Sequence, residues 1–283
     1  MRPLIDESPD RSISRLRRLG GLSGWVSACF ILAACNVTSA PTADAREVSV
    51  TNPGNTTGSP PAPNMLAHVT PSAAPATAGV IIQAGDSIGA GMGAIGNWAA
   101  IDHLGLPKGI AIHNVSENGK WMLTGLGQRD TELYPFYDKR YASVLVIQQG
   151  TNDLSGGKSG EYQYYSILKP FVTLSQAAGF YVAVDTILPR SDPGWVSDSS
   201  NEQHRLAYNK LVRANSIGAD AVIDIAADQQ IGDTVNPAIS LMYFDGLHLR
   251  KEGQQRLAKI EAKPLAKLLR YPRRLPTENT VAH

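Results

Sequence analysis

From residue 79 onward, short apolar runs alternate with longer stretches that have helical character. The runs are rich in Val, Ile and Ala and lie at 80–84, 110–115, 144–148, 181–186 and 221–225. Their nearly continuous apolar character favours strands covered on both faces, as in a parallel sheet. Candidate helices lie between them, at about 94–104, 124–138, 161–178, 201–217 and 251–270. This alternation predicts one doubly wound, three-layer α/β domain over residues 79–271, with a mainly parallel sheet of about five strands.

The first 34 residues have the pattern of an export signal. Four arginines between Arg11 and Arg18 precede an apolar run at 19–34, which as a helix is too short for a hydrocarbon core of about 30 Å. The run ends in Leu-Ala-Ala-Cys, which resembles the lipobox of bacterial lipoprotein precursors. That resemblance implies a signal peptide over residues 1–34 and a diacylglyceryl group on Cys35. An ordinary signal peptide followed by a chance cysteine is the alternative.

The residue after the cysteine bears on location. Asn36, and not Asp, occupies this position, which in enteric-type bacteria implies passage to the outer membrane. We therefore expect a lipid-anchored protein of the bacterial cell envelope, on the outer membrane and facing the periplasm or the cell surface. The membrane would be a partner through the N-terminal lipid.

The segment between the cysteine and the α/β domain has the composition of a linker. Residues 36–78 contain seven Pro, seven Thr and no aromatic residue, so they cannot bury enough apolar surface to offset the entropy of ordering. We expect residues 35–78 to form the lipidated cysteine and a disordered tether. At the other end, residues 272–283 are expected to form a frayed C-terminal tail.

Charge and cysteine usage exclude several classes of protein. Lys and Arg total 26 and Asp and Glu total 25, and this balance argues against a nucleic-acid partner, which requires a basic surplus. Cys29 and Cys35 are the only cysteines, which excludes zinc fingers, iron–sulfur clusters and disulfide scaffolds. Five histidines lack partners at ligand spacing, namely His68, His103, His113, His204 and His283. We expect no metal site.

Four loops that would follow predicted strands or approach the same sheet edge carry residues suited to acyl transfer. The first strand ends in Gly-Asp-Ser-Ile-Gly, which gives Ser87 the place of a nucleophile between a strand and a helix. Gly119 and Asn152 follow the second and third strands, where a backbone N–H and a side-chain amide can donate to an oxyanion. Asp245 stands three residues before His248, so its carboxylate can fix the imidazole tautomer. Each feature alone is also explained by an ordinary turn, loop or helix cap.

Together and in this order, the four blocks resemble the SGNH (GDSL-type) hydrolase family, whose name records Ser, Gly, Asn and His. The resemblance extends over the α/β domain and implies a flavodoxin-like fold, although the first block reads GDSI where the family name implies GDSL. It implies that Ser87 is the nucleophile, His248 the general base and Asp245 the residue that orients it. The oxyanion hole would consist of the backbone N–H groups of Ser87 and Gly119 and the side chain of Asn152, with Gly119 the loosest match.

The implied activity is that of a serine esterase that hydrolyses carboxylic esters through an acyl-enzyme, without a cofactor. We expect short acyl groups, because the domain is too small for a large lid. O-acetyl groups on glycans are one candidate substrate, since Trp98, Trp121 and Trp195 could stack on sugar rings; aromatic packing in the core is the alternative. An O-acyltransferase with the same triad and a non-catalytic envelope-binding lipoprotein remain as other functions.

Two further patterns have simpler explanations. Residues 91–96 match the GxGxxG pattern of dinucleotide-binding proteins, but these glycines begin after the serine turn, not at the strand end where a pyrophosphate would bind. Asp86 could suggest one member of a glycosidase pair, but no second acid is placed convincingly. A backbone-capping role for Asp86 is the simpler interpretation.

Overall fold

The computed structural model describes residues 78–277. The predicted signal peptide (1–34), the predicted lipidation site at Cys35 and the predicted tether up to residue 77 lie outside the described residues. So do residues 278–283 of the predicted tail. Among residues 78–277, no helix has both the length and the apolar character that crossing a membrane requires.

A single five-stranded parallel sheet forms the centre of the domain. Its strands are β1 (Gly79–Gly85), β2 (Ile110–Asn114), β3 (Ala142–Gln148), β4 (Tyr181–Asp185) and β5 (Ala221–Ile223). They lie in the order β2-β1-β3-β4-β5, and every neighbouring pair is parallel. The order reverses between β1 and β3, where a crevice opens at the carboxyl ends of the strands. The predicted α/β fold with a parallel sheet is confirmed.

Helices cover both faces of this sheet. The α-helices are α1 (Met122–Glu132), α2 (Thr151–Ser155), α3 (Gly160–Tyr162), α4 (Lys169–Ala177), α5 (Pro193–Val196), α6 (Ser200–Ala214) and α7 (Lys251–Leu268). Short 3-10 helices span Ala100–His103, Tyr134–Phe136 and Ile225–Ala227, and a π-helix spans Gln163–Leu168.

The core consists of two apolar clusters on opposite faces of the sheet. On one face, Ile81 of β1 packs in a cluster with Leu257 of α7. On the other face, Ile82 packs in a cluster with Phe171 of α4 and Tyr208 of α6. Burial of one aliphatic side chain of this kind contributes about 1.5–3 kcal/mol. Because successive strand residues face opposite sides, the continuous apolar runs of the sequence fill both clusters.

Two predicted helices are shorter than expected. The helix predicted at 94–104 is only the 3-10 helix Ala100–His103, because Gly91, Gly93 and Gly96 have positive φ angles of 74°, 89° and 73° and make a looped turn instead. The helix predicted at 124–138 ends at Glu132, and a 3-10 turn containing a proline follows it. The short helices α2 and α5 were not predicted.

Residues 272–277 are held against the domain. The hydroxyl of Tyr181 donates a 2.7 Å hydrogen bond to the carbonyl oxygen of Pro272. Arg274 forms an ion pair with Asp220, and its guanidinium lies 4.4 Å from the centroid of the Tyr181 ring. The prediction of a frayed tail is therefore wrong for these residues, because an ion pair and an aromatic contact anchor them at the edge where the strands begin.

Candidate active site

Ser87 lies in a tight turn directly after β1. The carboxylate of Asp86 accepts a 2.9 Å hydrogen bond from the backbone N–H of Ile88, and the carbonyl of Ser87 accepts from the N–H of Met92 at 3.0 Å. Gly89 has no space for a side chain, since a Cβ there would lie 2.6 Å from the Nε2 atom of Gln83. Asp86 has the capping role expected of it, and the turn holds the Ser87 side chain with only 5% of the residue exposed.

The turn before α7 brings an acid and an imidazole to this serine. Oδ1 of Asp245 accepts hydrogen bonds from the backbone N–H groups of Leu247 and His248, at 3.1 and 2.8 Å. Its Oδ2 atom lies 2.7 Å from Nδ1 of His248. Nε2 of the same ring lies 2.9 Å from Oγ of Ser87. The three side chains therefore form one continuous hydrogen-bonded chain.

The electrostatics of this turn favour an ionised carboxylate. Burial raises the pKa of Asp245, but the N–H and the ring of His248 lower it more, so the net pKa lies below the ordinary value. A carboxylate at this position accepts a hydrogen bond from Nδ1–H, which leaves Nε2 as the acceptor for the serine hydroxyl. The arrangement can remove a proton from Oγ of Ser87 when that oxygen forms a bond.

Gly119 and Asn152 belong to a second hydrogen-bonded unit beside the serine turn. Nδ2 of Asn152 donates a 3.1 Å hydrogen bond to the carbonyl of Lys120. The next residue, Asp153, accepts from the N–H of Met122 at 2.7 Å and so caps the start of α1. Gly119 is exposed and has a φ of 74°, which favours glycine. The unit therefore couples the loop that contains Gly119 to the loop that contains Asn152.

Both of these loops contact the end of β1. The carbonyl of Gly85 accepts from the N–H of Glu117 at 3.3 Å and from Nε2 of Gln149 at 3.1 Å. Within residues 78–277, the N–H groups of Ser87 and Gly119 donate no hydrogen bond to another protein group. These donors are thus available to an external oxygen at the same edge of the sheet.

Buried carboxyl groups surround the serine turn. Burial raises the pKa of Asp86 to about 7, although the N–H of Ile88 and the charge of Arg190 lower it in part. Burial also raises the pKa of Asp153, against the N–H groups of α1 that lower it. Sequence reasoning missed two residues with buried side chains here. These are Gln254, which donates a 2.7 Å hydrogen bond to the carbonyl of Ile88, and Arg190.

The tryptophans and the glycine-rich loop have distinct environments. Trp195 is 2% exposed and belongs to the core, so it cannot stack on a ligand. Trp98 stacks on His103, with ring centroids 3.9 Å apart. Trp121 is 37% exposed and lies next to the Gly119 loop. Gly93, within the GxGxxG match, packs so closely on the histidine turn that a Cβ would lie 2.8 Å from Cβ of His248.

An open groove adjoins the acid of the hydrogen-bonded chain. It has a volume of about 620 Å³ and its lining includes Asp245, Ile239, Leu241, Phe244 and Arg250. Ile239 and Leu241 are more than 80% exposed, at 81% and 86%. The groove therefore has exposed apolar side chains next to Asp245, and its lining also includes the guanidinium group of Arg250.

Comparison with solved structures shows what fold this chain has. A lipase/acylhydrolase from Enterococcus faecalis is 20% identical, with 69% of this chain and 98% of that chain covered and a TM-score of 0.50. A GDSL-like lipase from Bacteroides thetaiotaomicron is 15% identical, with 68% and 90% covered and a TM-score of 0.53. A member of the lipolytic protein G-D-S-L family from Veillonella parvula is 17% identical, with 67% and 97% covered and a TM-score of 0.51.

Comparison with family models found no match, and comparison with curated proteins found none. The chain has the α/β fold of the GDSL-type (SGNH) lipases and acylhydrolases.

Proposed function

We propose that this protein is a serine esterase of the SGNH (GDSL-type) hydrolase family. The observation that carries the proposal is the hydrogen-bonded chain from Oγ of Ser87 through His248 to Asp245, at 2.9 and 2.7 Å. A binding protein has no need for this arrangement, whereas nucleophilic catalysis requires a base within hydrogen-bond reach of the hydroxyl and a group that orients the base. The fold that the chain shares with lipases and acylhydrolases also supports the proposed esterase function.

The mechanism follows from the three side chains. Oγ of Ser87 attacks the carbonyl carbon of the ester while Nε2 of His248 takes the hydroxyl proton, and Asp245 stabilises the imidazolium that forms. The tetrahedral intermediate collapses when the imidazolium gives its proton to the leaving alcohol, which leaves an acyl-serine. Water then attacks the carbonyl carbon of the acyl-serine and gives a proton to Nε2 of His248. The bond from this carbon to Oγ of Ser87 breaks as the imidazolium returns the proton to Oγ, which releases the acid and restores the serine.

The oxyanion is stabilised by donors that are fixed before the substrate arrives. These donors are the backbone N–H groups of Ser87 and Gly119 and the side-chain amide of Asn152. Asn152 already donates one hydrogen to Lys120, which orients the amide and leaves its second hydrogen for the substrate. Such preorganised donors act where charge develops and need no rearrangement during the reaction.

Short acyl esters are the substrates that we propose, and O-acetyl groups on glycans are the biological candidate. The exposed ring of Trp121 lies two residues after Gly119 and offers a face on which a sugar could stack. An acyl-serine can also pass its acyl group to a sugar hydroxyl in place of water, so an O-acyltransferase is the alternative. We further propose that Cys35 carries the lipid anchor and that the protein works in the bacterial envelope.

The test combines labelling with turnover on the full chain. A fluorophosphonate should label wild type and should not label Ser87→Ala, and aryl acetate hydrolysis should fall to background in that variant. Ser197→Ala is the matched control, because Ser197 is exposed on the loop after α5 and bonds only to its own turn. Retained labelling or hydrolysis in Ser87→Ala would overturn the proposal. Product analysis with and without a sugar acceptor separates hydrolysis from acyl transfer.

A further inference from the structure

Arg190 is a buried cation on the loop that follows β4. Its side chain is only 6% exposed. Its Nε and Nη2 atoms donate to the two carboxylate oxygens of Asp192, at 2.8 and 2.9 Å. The guanidinium also lies 4.8 Å from the centroid of the Trp195 ring. This bidentate ion pair and the aromatic face fix the plane of the guanidinium.

The remaining nitrogen of this group reaches the loop that contains Asn152. Nη1 of Arg190 donates to both the carbonyl oxygen and Oγ1 of Thr151, at 3.3 and 3.1 Å. Thr151 is the first residue of the short helix α2, is 2% exposed and directly precedes Asn152. A contact that fixes the backbone of Thr151 therefore fixes the start of Asn152, whose amide is the proposed oxyanion donor.

The same loop also contacts the turn between the acid and the histidine. The N–H of Ser191 donates a 2.8 Å hydrogen bond to the carbonyl of Gly246. Gly246 lies between Asp245 and His248, and a Cβ at this position would lie 2.7 Å from Oγ of Ser191. The segment that Arg190 anchors therefore touches both halves of the candidate site.

We propose that Arg190 is a positioning residue that holds the Asn152 amide and the Asp245–His248 turn in register around Ser87. This inference rests on the proposed esterase function and assigns it a residue outside the four sequence blocks. Arg190 acts through its neighbours, because its three guanidinium nitrogens are all engaged by Asp192 and Thr151 and its charge is paired. The planar guanidinium donates to both carboxylate oxygens of Asp192 and to Thr151 in one fixed geometry, and a lysine ammonium cannot reproduce this bidentate arrangement.

Arg190→Met, Arg190→Lys and Asn152→Ala test this role by a double-mutant cycle on aryl acetate hydrolysis. A small displacement of positioning groups lowers kcat strongly, so we expect Arg190→Met to lower kcat about 10-fold to 100-fold with KM changed less than about 2-fold. In the Asn152→Ala background the same substitution should lower kcat by a smaller factor than in wild type, because the amide is gone and only the effect on the Asp245–His248 turn remains. Arg190→Lys should behave like Arg190→Met.

The matched control is Arg213→Met. Arg213 also pairs with two carboxylates, those of Asp224 and Asp233, but it contacts neither the Asn152 loop nor the histidine turn. The Arg213→Met substitution should leave kcat unchanged. An equal loss for Arg190→Met in both backgrounds, or full activity of Arg190→Lys, would overturn the positioning role.

Hydrogen exchange gives a readout that does not depend on activity. In the full chain, Arg190→Met should speed amide exchange at residues 151–155 and 245–248, whereas Arg213→Met should not. Unchanged exchange at both segments would overturn the inference even if wild type shows no hydrolysis. If wild type lacks Ser87-dependent hydrolysis but exchange rises at both segments, the proposed function fails and the structural link from Arg190 stands.

Discussion

Gln148 at the end of β3 donates from Nε2 to Oε1 of Glu261 on α7, at 2.9 Å, and to Oδ2 of Asp185 on β4, at 3.1 Å. All three side chains are buried, and the two carboxyl groups lie close together because both accept from the same amide nitrogen. Two adjacent carboxyl groups in a low-dielectric site cannot both ionise at little cost. Burial raises the pKa of Asp185 to about 7 and raises the pKa of Glu261 well above its ordinary value. The pair therefore holds a proton at pH values where an exposed carboxyl has lost it.

This proton makes stability depend on pH in a definite direction. Because the pKa of Asp185 is 3.8 when unperturbed and about 7 in the fold, the native state binds more protons than the unfolded state between these values. The stabilisation of the native state by this bound proton is complete below about pH 4 and is lost as the pH rises through about 7. For each excess proton bound, the free energy of unfolding falls by about 1.4 kcal/mol per pH unit in this window. Thermal unfolding between pH 5 and 8 measures the slope.

Glu261→Gln should flatten this pH dependence. The glutamine amide can donate a hydrogen bond to Asp185 in place of the shared proton. The aspartate can therefore ionise at lower cost. Glu252→Gln, at an exposed position in the first turn of the same helix, is the control and should keep the wild-type slope. Identical slopes in wild type and Glu261→Gln would refute the shared proton.

Asn152→Ala should lower the rate of the chemical step. Loss of one oxyanion donor costs about 10²–10³ in kcat in acyl-transfer enzymes. KM for an aryl acetate should change little, because the oxyanion forms only in the transition state. Steady-state kinetics measure this, with thermal unfolding to establish that the variant is folded. A kcat within a factor of about 3 of wild type would remove Asn152 from the oxyanion hole.

Gly246→Ala should impair catalysis more than stability. Gly246 has a φ of 83° and a Cβ would contact Ser191, so the turn between Asp245 and His248 must shift. Gly218→Ala is a matched control, since Gly218 has a φ of 73° with open space around it. Both variants should lose about 1–2 kcal/mol from the left-handed backbone, but only Gly246→Ala should also lower kcat, by about 10-fold or more. Equal kcat in the two variants would contradict this.

Cys35→Ala tests the anchor. If a diacylglyceryl group is attached to this thiol, the variant should retain an uncleaved precursor, migrate differently on a denaturing gel and lose lipid labelling. Two alkyl chains anchor a protein stably to a membrane, so only the wild type should label with a radioactive or clickable fatty acid. A Cys35→Ala protein that labels, migrates and fractionates like the wild type would disprove lipidation.

The three central strands β1, β3 and β4 could be predicted from the sequence because they are buried on both faces, whereas the edge strands β2 and β5 are only partly buried. The run at 144–148, for example, lies within the observed strand Ala142–Gln148, whose seven residues are all buried. Apolar periodicity does not indicate the buried face of a helix where that face includes polar side chains. Helix α6 directs Arg205 and Asn209 into the interior, where both donate to the carbonyl of Ile187. No apolar periodicity reports such contacts.

The candidate site could be predicted in part for a related reason. Loops after parallel strands meet at one sheet edge, so Ser87 and Asn152 can be expected there from the strand order alone. The roles of these residues stay a prediction. Arg190 could not be found in this way, because its partner Thr151 is a threonine in a distant loop and no spacing or motif joins the two. The prediction of a helix at 94–104 is wrong near the glycines at 91–96, because Gly91, Gly93 and Gly96 have positive φ angles, and Gly93 packs against the histidine turn.

The anchoring of residues 272–277 at the start of the strands has a practical consequence. The candidate active site lies at the opposite, carboxyl edge of the sheet, so an affinity handle or fluorophore attached beyond Thr277 leaves from the far side of the domain. A biosensor surface that captures the protein by such a handle would present Ser87 to the flowing sample. Capture near the mouth of the site, for example at Ile239, would instead obstruct the substrate.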